Sequence, residues 1–189
     1  MEEKALNIIQ WNCRSIKENV ARRTELRILL QTRKPHICCI SETWLSENIK
    51  TPNIKNYTRI FRKDRPDREG GGLMTLIRDD IKATHVQINT NQNSNIEAQA
   101  VEIHLTHNKV KLLHVYNPDS ALNIDNLNHL IEQMGSKYIL VGDLNGHHTL
   151  WDPNTIQNNQ CGNALSEYLL DQPTIAHSSY RTRSCHTHK

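Results

Sequence analysis

Residues 138–151, YILVGDLNGHHTLW, contain the sharpest change of character in this 189-residue chain, from an apolar run to a cluster of polar side chains. The run at residues 138–141 is apolar and β-favouring, which predicts a strand buried on both faces. Beyond Gly142 come a carboxylate, an amide and two imidazoles, at Asp143, Asn145, His147 and His148. In helix-covered sheets, ligands bind at such strand ends. The stretch therefore predicts a functional site.

The spacing of Asp143 and Asn145 sharpens this prediction. In an extended chain alternate side chains point to the same side, so the carboxylate and the amide would converge. A simpler interpretation remains open, because Asp, Asn and Gly are also common residues of plain turns.

Two further apolar runs also end in polar residues. Residues 6–10 lead to Asn12, and residues 36–40 lead to Glu42. Between them, apolar residues recur at helical spacing over residues 15–33, before Pro35. A strand–helix–strand unit makes both strands parallel and brings Asn12 and Glu42 to one edge. Taken singly, Glu42 could be a surface acid and Asn12 a strand-end cap.

The middle of the chain predicts several strands. Residues 73–78 follow three glycines, which favour a flexible hairpin; a phosphate-binding loop is the alternative, but no Gly-Lys-Ser/Thr follows. Residues 83–88, 98–105 and 110–116 follow without helices between them, which predicts an antiparallel meander. The last of these ends at Tyr116 and Asn117. We expect helices at residues 119–134 and 164–170.

Composition sets the broad class. The length predicts one globular domain spanning residues 1–189, with a core of Ile, Leu and Val because only 5% of residues are aromatic. No apolar run reaches the ~18 residues of a membrane span, and the N-terminus lacks the features of a secretory signal. Five cysteines without paired spacing indicate reduced thiols. We expect an intracellular protein without membrane contact.

The net charge of +3 says less than its distribution. Residues 55–68 concentrate basic side chains, among them Arg59, Arg62 and Lys63, around Tyr57 and Phe61. Such a stretch could follow a phosphate backbone and stack on bases. A solvated loop is the alternative.

The polar groups at the strand ends are carboxylates, amides and a phenol, contributed by Asn12, Glu42, Tyr116, Asn117, Asp143 and Asn145. Zinc sites instead favour thiolates and imidazoles. Oxygen donors suit Mg²⁺, which takes its remaining ligands from water and substrate phosphate. Phosphodiester cleavage uses such an ion to stabilise charge, while a carboxylate can activate the attacking water.

The motifs at these strand ends match a known family. WN at residues 11–12, SETW at 41–44, GGGLMTLIR at 70–78, VYNP at 115–118 and GDLNGHH at 142–148 resemble the exonuclease, endonuclease and phosphatase superfamily. The similarity is closest to the apurinic/apyrimidinic-like endonuclease domain of non-LTR retrotransposons. It implies an α/β fold, a four-layered sandwich in which two mixed sheets pack face to face with helices outside.

The resemblance also implies roles for individual residues. Glu42 would be the main ligand of Mg²⁺, or of Mn²⁺, with Asn12 beside it. Tyr116 would contact the scissile phosphate, Asp143 would activate water or assist the leaving group, and Asn145 would hold the phosphate. Further substrate contacts are expected from Arg14, Asn117, His147 and His148, and the basic stretch adds Arg59, Arg62 and Lys63. The implied partner is DNA, with a reverse transcriptase domain in a longer, nuclear parent protein.

One expectation concerns a departure from the family. Members continue with a strand bearing an aspartate and a closing Ser-Asp-His motif, whereas residues 177–189 read HSSYRTRSCHTHK. We therefore expect the last strands to be missing and activity to be weakened or lost, because groups of such a site act as a unit. A zinc site at Cys161, Cys185, His186 and His188 is an alternative for this tail, although its spacing matches no standard template.

Three functions follow from the sequence. The first is a Mg²⁺-dependent endonuclease that nicks DNA, as in retrotransposon target-site cleavage. The second is a non-catalytic nucleic-acid-binding remnant, whose binding would depend on salt. The third is a phosphoester phosphatase on the same fold, which fold alone does not exclude.

Overall fold

The computed structural model describes residues 6–66, 69–91 and 94–170. These residues form two compact units. The first holds the described residues up to Asp119 together with Asp125–Leu144, and the second holds Ser120–Ile124 and the described residues from Asn145 onward.

The elements in chain order are β1 (Ile8–Asn12), α1 (Val20–Arg33), β2 (Ile37–Ser41), β3 (Arg59–Lys63), β4 (Leu73–Ile77), β5 (Lys82–Val86), β6 (Glu97–His104), β7 (Lys109–Tyr116), α2 (Ile124–Glu132), β8 (Tyr138–Asp143) and α3 (Gln160–Leu170).

The strands form two four-stranded sheets, with the orders β1-β2-β4-β3 and β5-β6-β7-β8. Each sheet is mixed: β1 pairs with β2, and β7 with β8, in parallel, while the other neighbours are antiparallel. The predicted parallel strand–helix–strand unit and the predicted meander of β5, β6 and β7 are therefore confirmed.

The main core lies between the two sheets. Alternate side chains of β2 and β4 pack there against alternate side chains of β6 and β7, with Ile37, Cys39 and Ile77 meeting Val101, Ile103 and Leu112. The other face of the first sheet packs against α1 through Leu26 and Leu30. Because β2 is covered on both faces, all five of its residues are buried.

The outer face of the second sheet is also buried, at Leu113 and Val115. Leu127 and Leu130 of α2 are buried as well, and Lys111 Nζ donates to the Gln133 carbonyl just beyond this helix, over 3.1 Å. The predicted α/β sandwich of two mixed sheets with helices is confirmed.

Several predicted boundaries and elements differ from the structure. Residues 59–63 of the basic stretch form a strand, β3, and not a solvated loop, because β3 pairs with β4 over its whole length. Strand β8, predicted to be buried on both faces, is half-buried throughout, since it is the last strand of its sheet in the described part of the chain. The chain does not stay extended to Asn145, whose φ is 53°, so the alternation that paired it with Asp143 does not apply.

Capping side chains set the helix boundaries. Helix α1 begins at Val20 because the side chain of Asn19 accepts a hydrogen bond from the Arg22 amide over 3.1 Å. Helix α3 begins at Gln160, earlier than predicted, because Asn159 Oδ1 accepts from the Gly162 amide over 2.7 Å.

Among the described residues, no helix combines the length and apolar composition that crossing a bilayer requires. Cys13, Cys38, Cys39 and Cys161 are buried free thiols. That residues 1–189 form a single domain stays a prediction.

Candidate active site

Glu42 lies in a strained turn directly after β2. Its φ is 56° and that of Trp44 is 55°, a left-handed conformation that is uncommon for residues other than glycine. The Glu42 carbonyl accepts hydrogen bonds from the Ser15 amide, over 2.8 Å, and from Cys13 Sγ, over 3.2 Å. Arg14 and Ser15 also have positive φ. Strain of this kind concentrates at functional sites, where surrounding contacts hold it in place.

The side chains of Asn12, Glu42, Tyr116 and Asp143 meet in one hydrogen-bonded group. Asn12 Nδ2 donates to Glu42 Oε1 over 2.7 Å and to Asp143 Oδ2 over 2.9 Å. The Tyr116 hydroxyl donates to the same Glu42 oxygen over 2.8 Å. Glu42 Oε1 and Asp143 Oδ2 therefore both lie within hydrogen-bonding distance of the same Asn12 nitrogen, which makes the two carboxylates close neighbours.

Strand periodicity explains why these groups converge. Ile8 of β1 packs between the sheets, so Asn12, four residues on, faces the same side. The same alternation holds in the second sheet, where Val141 of β8 and Leu112 of β7 face the first sheet. Asp143 lies two residues after Val141, and Tyr116 four residues after Leu112, so both face the first sheet as well. The site lies at one end of the layer between the sheets and draws residues from both.

Burial and the neighbouring carboxylates both change the pKa of the Tyr116 phenol. Burial raises its pKa above the ordinary value of 10.0, and the hydrogen bond to Glu42 and the charges of Glu42 and Asp143 raise it further. The phenol therefore stays protonated at physiological pH and remains a hydrogen-bond donor.

Two adjacent carboxylates suit a divalent cation with hard oxygen ligands. In the described ranges no group of three or more His, Cys, Asp or Glu side chains is placed to hold a metal. An ion bound here would depend on Glu42 and Asp143 together with water and substrate oxygens, which Mg²⁺ accepts. Asn12 Oδ1 accepts from the Arg14 amide over 3.2 Å, so its amide nitrogen, not its oxygen, faces the carboxylates. Coordination by Asn12 would require that amide to turn.

Asn145, His147 and His148 belong to the second unit. There, Asn159 Nδ2 donates to the Asn145 carbonyl over 2.7 Å, and Asn159 Oδ1 accepts from the His147 amide over 2.9 Å. His148 packs against Trp151 with ring centroids 5.1 Å apart. The loop therefore has a defined conformation, while the substrate contacts of these three residues stay predictions.

The basic residues singled out in the sequence bind groups within the protein. Arg62 pairs with Asp64 and donates to the carbonyl of Ile49, over 2.7 Å. Arg59 donates to the carbonyl of Ile81 over 2.6 Å, and Lys63 Nζ to that of Ala98 over 3.0 Å. Burial lowers the pKa of Lys63. These contacts give the three side chains structural roles; contact with a substrate stays a prediction.

Asn117 is 2% exposed and fixes the chain after β8. Its backbone amide donates to the Asp143 carbonyl over 2.9 Å, and its side chain donates to the Asp119 carbonyl over 3.1 Å. Asn117 therefore holds the backbone of Asp143 in place. Arg14 is exposed beside Asn12, a position compatible with its predicted contact to substrate.

Two polar residues that the sequence patterns do not single out, Glu97 and Asn159, make contacts that shape the structure. Glu97 binds the Gly72 amide over 2.6 Å and pairs with Arg65. This contact disfavours the phosphate-binding alternative for the glycines, because the Gly72 amide already has an anionic partner. Asn159 lies before the helix predicted at residues 164–170, and an Asn directly before a helix is a recognisable cap signal.

The tail carries predictions that lie outside the described residues. These are the missing closing strands and Ser-Asp-His motif, and the alternative zinc site at Cys185, His186 and His188. Cys161, the remaining residue of that alternative, is buried in α3.

The fold and the paired carboxylates at the ends of both sheets define a class: hydrolase-type α/β sandwiches of the nuclease and phosphatase kind. The chain belongs to the Endonuclease/Exonuclease/phosphatase family, whose family model matches residues 9–188. No curated protein matches the chain in sequence.

Solved structures show the same fold at low sequence identity. The endonuclease domain of TRAS1, a telomere-specific non-LTR retrotransposon, is 22% identical with a TM-score of 0.64, over 87% of this chain and 70% of that one. The 3′ phosphatase NExo from Neisseria is 16% identical, with a TM-score of 0.60, over 88% and 71%. An AP endonuclease from Archaeoglobus fulgidus is 17% identical, with a TM-score of 0.55, over 83% and 65%.

Proposed function

We propose that this chain is a nuclease dependent on a divalent metal, Mg²⁺ or Mn²⁺, that hydrolyses one phosphodiester bond of DNA and leaves a nick. The observation that carries the proposal is the hydrogen-bonded group of Asn12, Glu42, Tyr116 and Asp143. Similarity to a retrotransposon endonuclease and to an AP endonuclease supports DNA as the substrate. By the same similarity, a nuclear location and a reverse transcriptase in a longer parent protein are part of the proposal.

The roles of the residues follow from their contacts. Glu42 and Asp143 supply negative charge for the ion, and Asn12 holds their oxygens in register through a single amide nitrogen. When bound, the ion would polarise a phosphoryl oxygen and stabilise the leaving oxygen. Asp143 would accept the proton of the attacking water. The Tyr116 phenol, whose single O–H donates to Glu42 in the free protein, would turn that O–H to the phosphate when substrate binds.

We propose separate substrate contacts on the second unit. We place phosphate binding at Asn145, with His147 and His148 beside it, on the loop that Asn159 fixes. Arg14, exposed next to Asn12, would contact the DNA backbone.

A plasmid-nicking assay with Mg²⁺ tests the proposal, using wild type, Glu42→Gln and Asp143→Asn. Each variant removes one charge and keeps the shape of the side chain. We expect either change to lower nicking at least about 100-fold, and EDTA to abolish it. Glu47→Gln is the matched control: it removes the charge of an exposed glutamate five residues along the same loop, and it should nick like wild type.

Nicking that survives both site variants would overturn the assignment of these carboxylates. Hydrolysis of a small phosphomonoester without nicking of DNA would replace the nuclease by a phosphatase. Salt-sensitive DNA binding without any hydrolysis would leave a binding remnant.

A further inference from the structure

The carboxylate of Glu97 reaches from the second sheet to the first, close to the candidate site. Glu97 opens β6, lies opposite Tyr116 of β7, and accepts a hydrogen bond from the Gly72 amide over 2.6 Å. Its other oxygen pairs with Arg65. The side chains of Arg65 and Glu97 are only 14% and 11% exposed, so this ion pair is shielded from water.

The glycine segment is shaped around this ion pair. Gly71 and Gly72 have φ of 67° and 85°, a conformation that glycine adopts without steric cost. A Cβ on Gly71 would collide with both the Glu97 carboxylate and the Arg65 guanidinium, and one on Gly72 would lie 2.6 Å from Thr43 Oγ1. The absence of side chains here lets a charged group approach the backbone.

This segment holds the turn that carries Glu42. The Gly72 carbonyl accepts from the Thr43 amide over 3.2 Å, and the Gly71 carbonyl accepts from the Trp44 amide over 2.9 Å. Both acceptors belong to the segment that Glu97 binds. Their donors flank or follow Glu42, whose φ of 56° needs support from its surroundings.

We infer that Glu97, paired with Arg65, is a positioning residue for Glu42 that acts through the glycine segment and the turn at residues 42–44. The carboxylate fixes Gly72, the glycine carbonyls fix the amides of Thr43 and Trp44, and the fixed turn aims the Glu42 side chain at Asn12 and Tyr116. The effect on metal binding and nicking rests on the proposed function; the effect on the turn does not.

Amide hydrogen exchange tests the structural step in the metal-free full chain. In Glu97→Gln, the Thr43 and Trp44 amides should exchange about tenfold faster relative to the Leu113 amide, which reports opening of the core. Glu102→Gln is the matched control, because Glu102 is on the same strand and pairs with Lys109 over 2.8 Å. Its turn amides should keep the wild-type ratio. Equal acceleration of all three amides in Glu97→Gln would overturn the inference and leave only a stabilising ion pair.

Direct titration with Mn²⁺, followed by its electron paramagnetic resonance signal, tests the consequence for the ion. We expect Glu97→Gln to bind about tenfold more weakly, as for other residues that orient metal ligands, with Glu102→Gln like wild type. Unchanged Mn²⁺ affinity beside a loosened turn would refute the action on Glu42. If wild type binds Mn²⁺ but does not nick DNA, the nuclease proposal fails while the exchange and titration results still decide the role of Glu97.

Discussion

The phenol of Tyr116, at the end of one sheet, donates a 2.8 Å hydrogen bond to the Glu42 carboxylate beyond the end of the other. A hydrogen bond to a charged group contributes about 1.5–3 kcal/mol. Tyr116→Phe should therefore lower the free energy of unfolding by about 2 kcal/mol. Nicking should fall more than about tenfold, because a protonated donor beside the phosphate is lost. Urea denaturation and the plasmid assay measure the two effects.

Tyr57→Phe is the control for this change. The Tyr57 hydroxyl is buried and donates to the Pro35 carbonyl over 2.7 Å; Pro35 precedes β2, whereas Glu42 follows it. It should lose stability without a matching loss of nicking per folded molecule. A parallel loss of nicking in both variants would mean that Tyr116 matters only for folding.

Glu42 and Asp143 place two negative charges around one amide nitrogen. Like charges this close oppose each other when no cation is bound. Glu42→Gln relieves this repulsion but also weakens the hydrogen bonds that Asn12 and Tyr116 donate to the charged carboxylate. These effects oppose each other, so the melting temperature of the metal-free protein should change little, and the stabilisation that Mg²⁺ gives to wild type should vanish. Thermal unfolding with EDTA and with excess Mg²⁺ measures both. A large drop for the metal-free variant would show that Glu42 serves the fold rather than an ion.

The sequence predicts the parts of the site that depend on local patterns along the chain. The sequence predicts Asn12 and Glu42 as neighbours because the two strands of a parallel strand–helix–strand unit end at the same edge of the sheet. Tyr116 and Asp143 are predicted in the same way, as polar residues at the ends of apolar runs. The alternation of side chains along a strand and the succession of strand, helix and strand are properties of neighbouring residues, so a single sequence is enough to predict them.

Contacts between the sheets were not predictable in this way. Glu97 resembles any polar residue at the start of a strand, and only the packing of β6 over the glycine segment makes it a partner of Gly72. Strand β3 was missed because Arg62 and Lys63 look solvated, although their charged ends reach Asp64 and a backbone carbonyl. Long charged side chains can bury their aliphatic parts while the charged ends find partners, so a strand that contains them lacks the hydrophobic pattern by which strands are predicted.

Asn159 is expected to hold the His147 loop to α3. Its Oδ1 caps Gly162 and accepts from His147, while its Nδ2 donates to the Asn145 carbonyl. Asn159→Ala should cost about 2 kcal/mol of unfolding free energy, measured in urea. Asn159→Asp keeps the accepting oxygen and loses only the donor, so it should cost clearly less. Equal costs for the two variants would show that the cap contributes little.

His114 makes a pH-dependent contribution to stability from inside the sandwich. The imidazole is fully buried, its Nδ1 lies 3.1 Å from Thr75 Oγ1, and its Nε2 has no hydrogen-bond partner among the described residues. Burial lowers the pKa of His114 from 6.5 to about 3, since a charged ring would lack solvation there.

Below pH 6.5 the unfolded chain therefore binds a proton at His114 that the folded protein refuses until about pH 3. Stability from this group is present above the unfolded pKa and falls as the pH falls, by about 2 kcal/mol between pH 7 and pH 5. Urea denaturation at both pH values should give a smaller decline for His114→Gln than for wild type, by about that amount. His107→Gln, which removes an exposed histidine, should keep the wild-type decline. If His114→Gln keeps the full wild-type decline, the His114 ring takes up its proton as readily in the folded protein as in the unfolded chain. The prediction that the buried ring stays neutral would then be wrong.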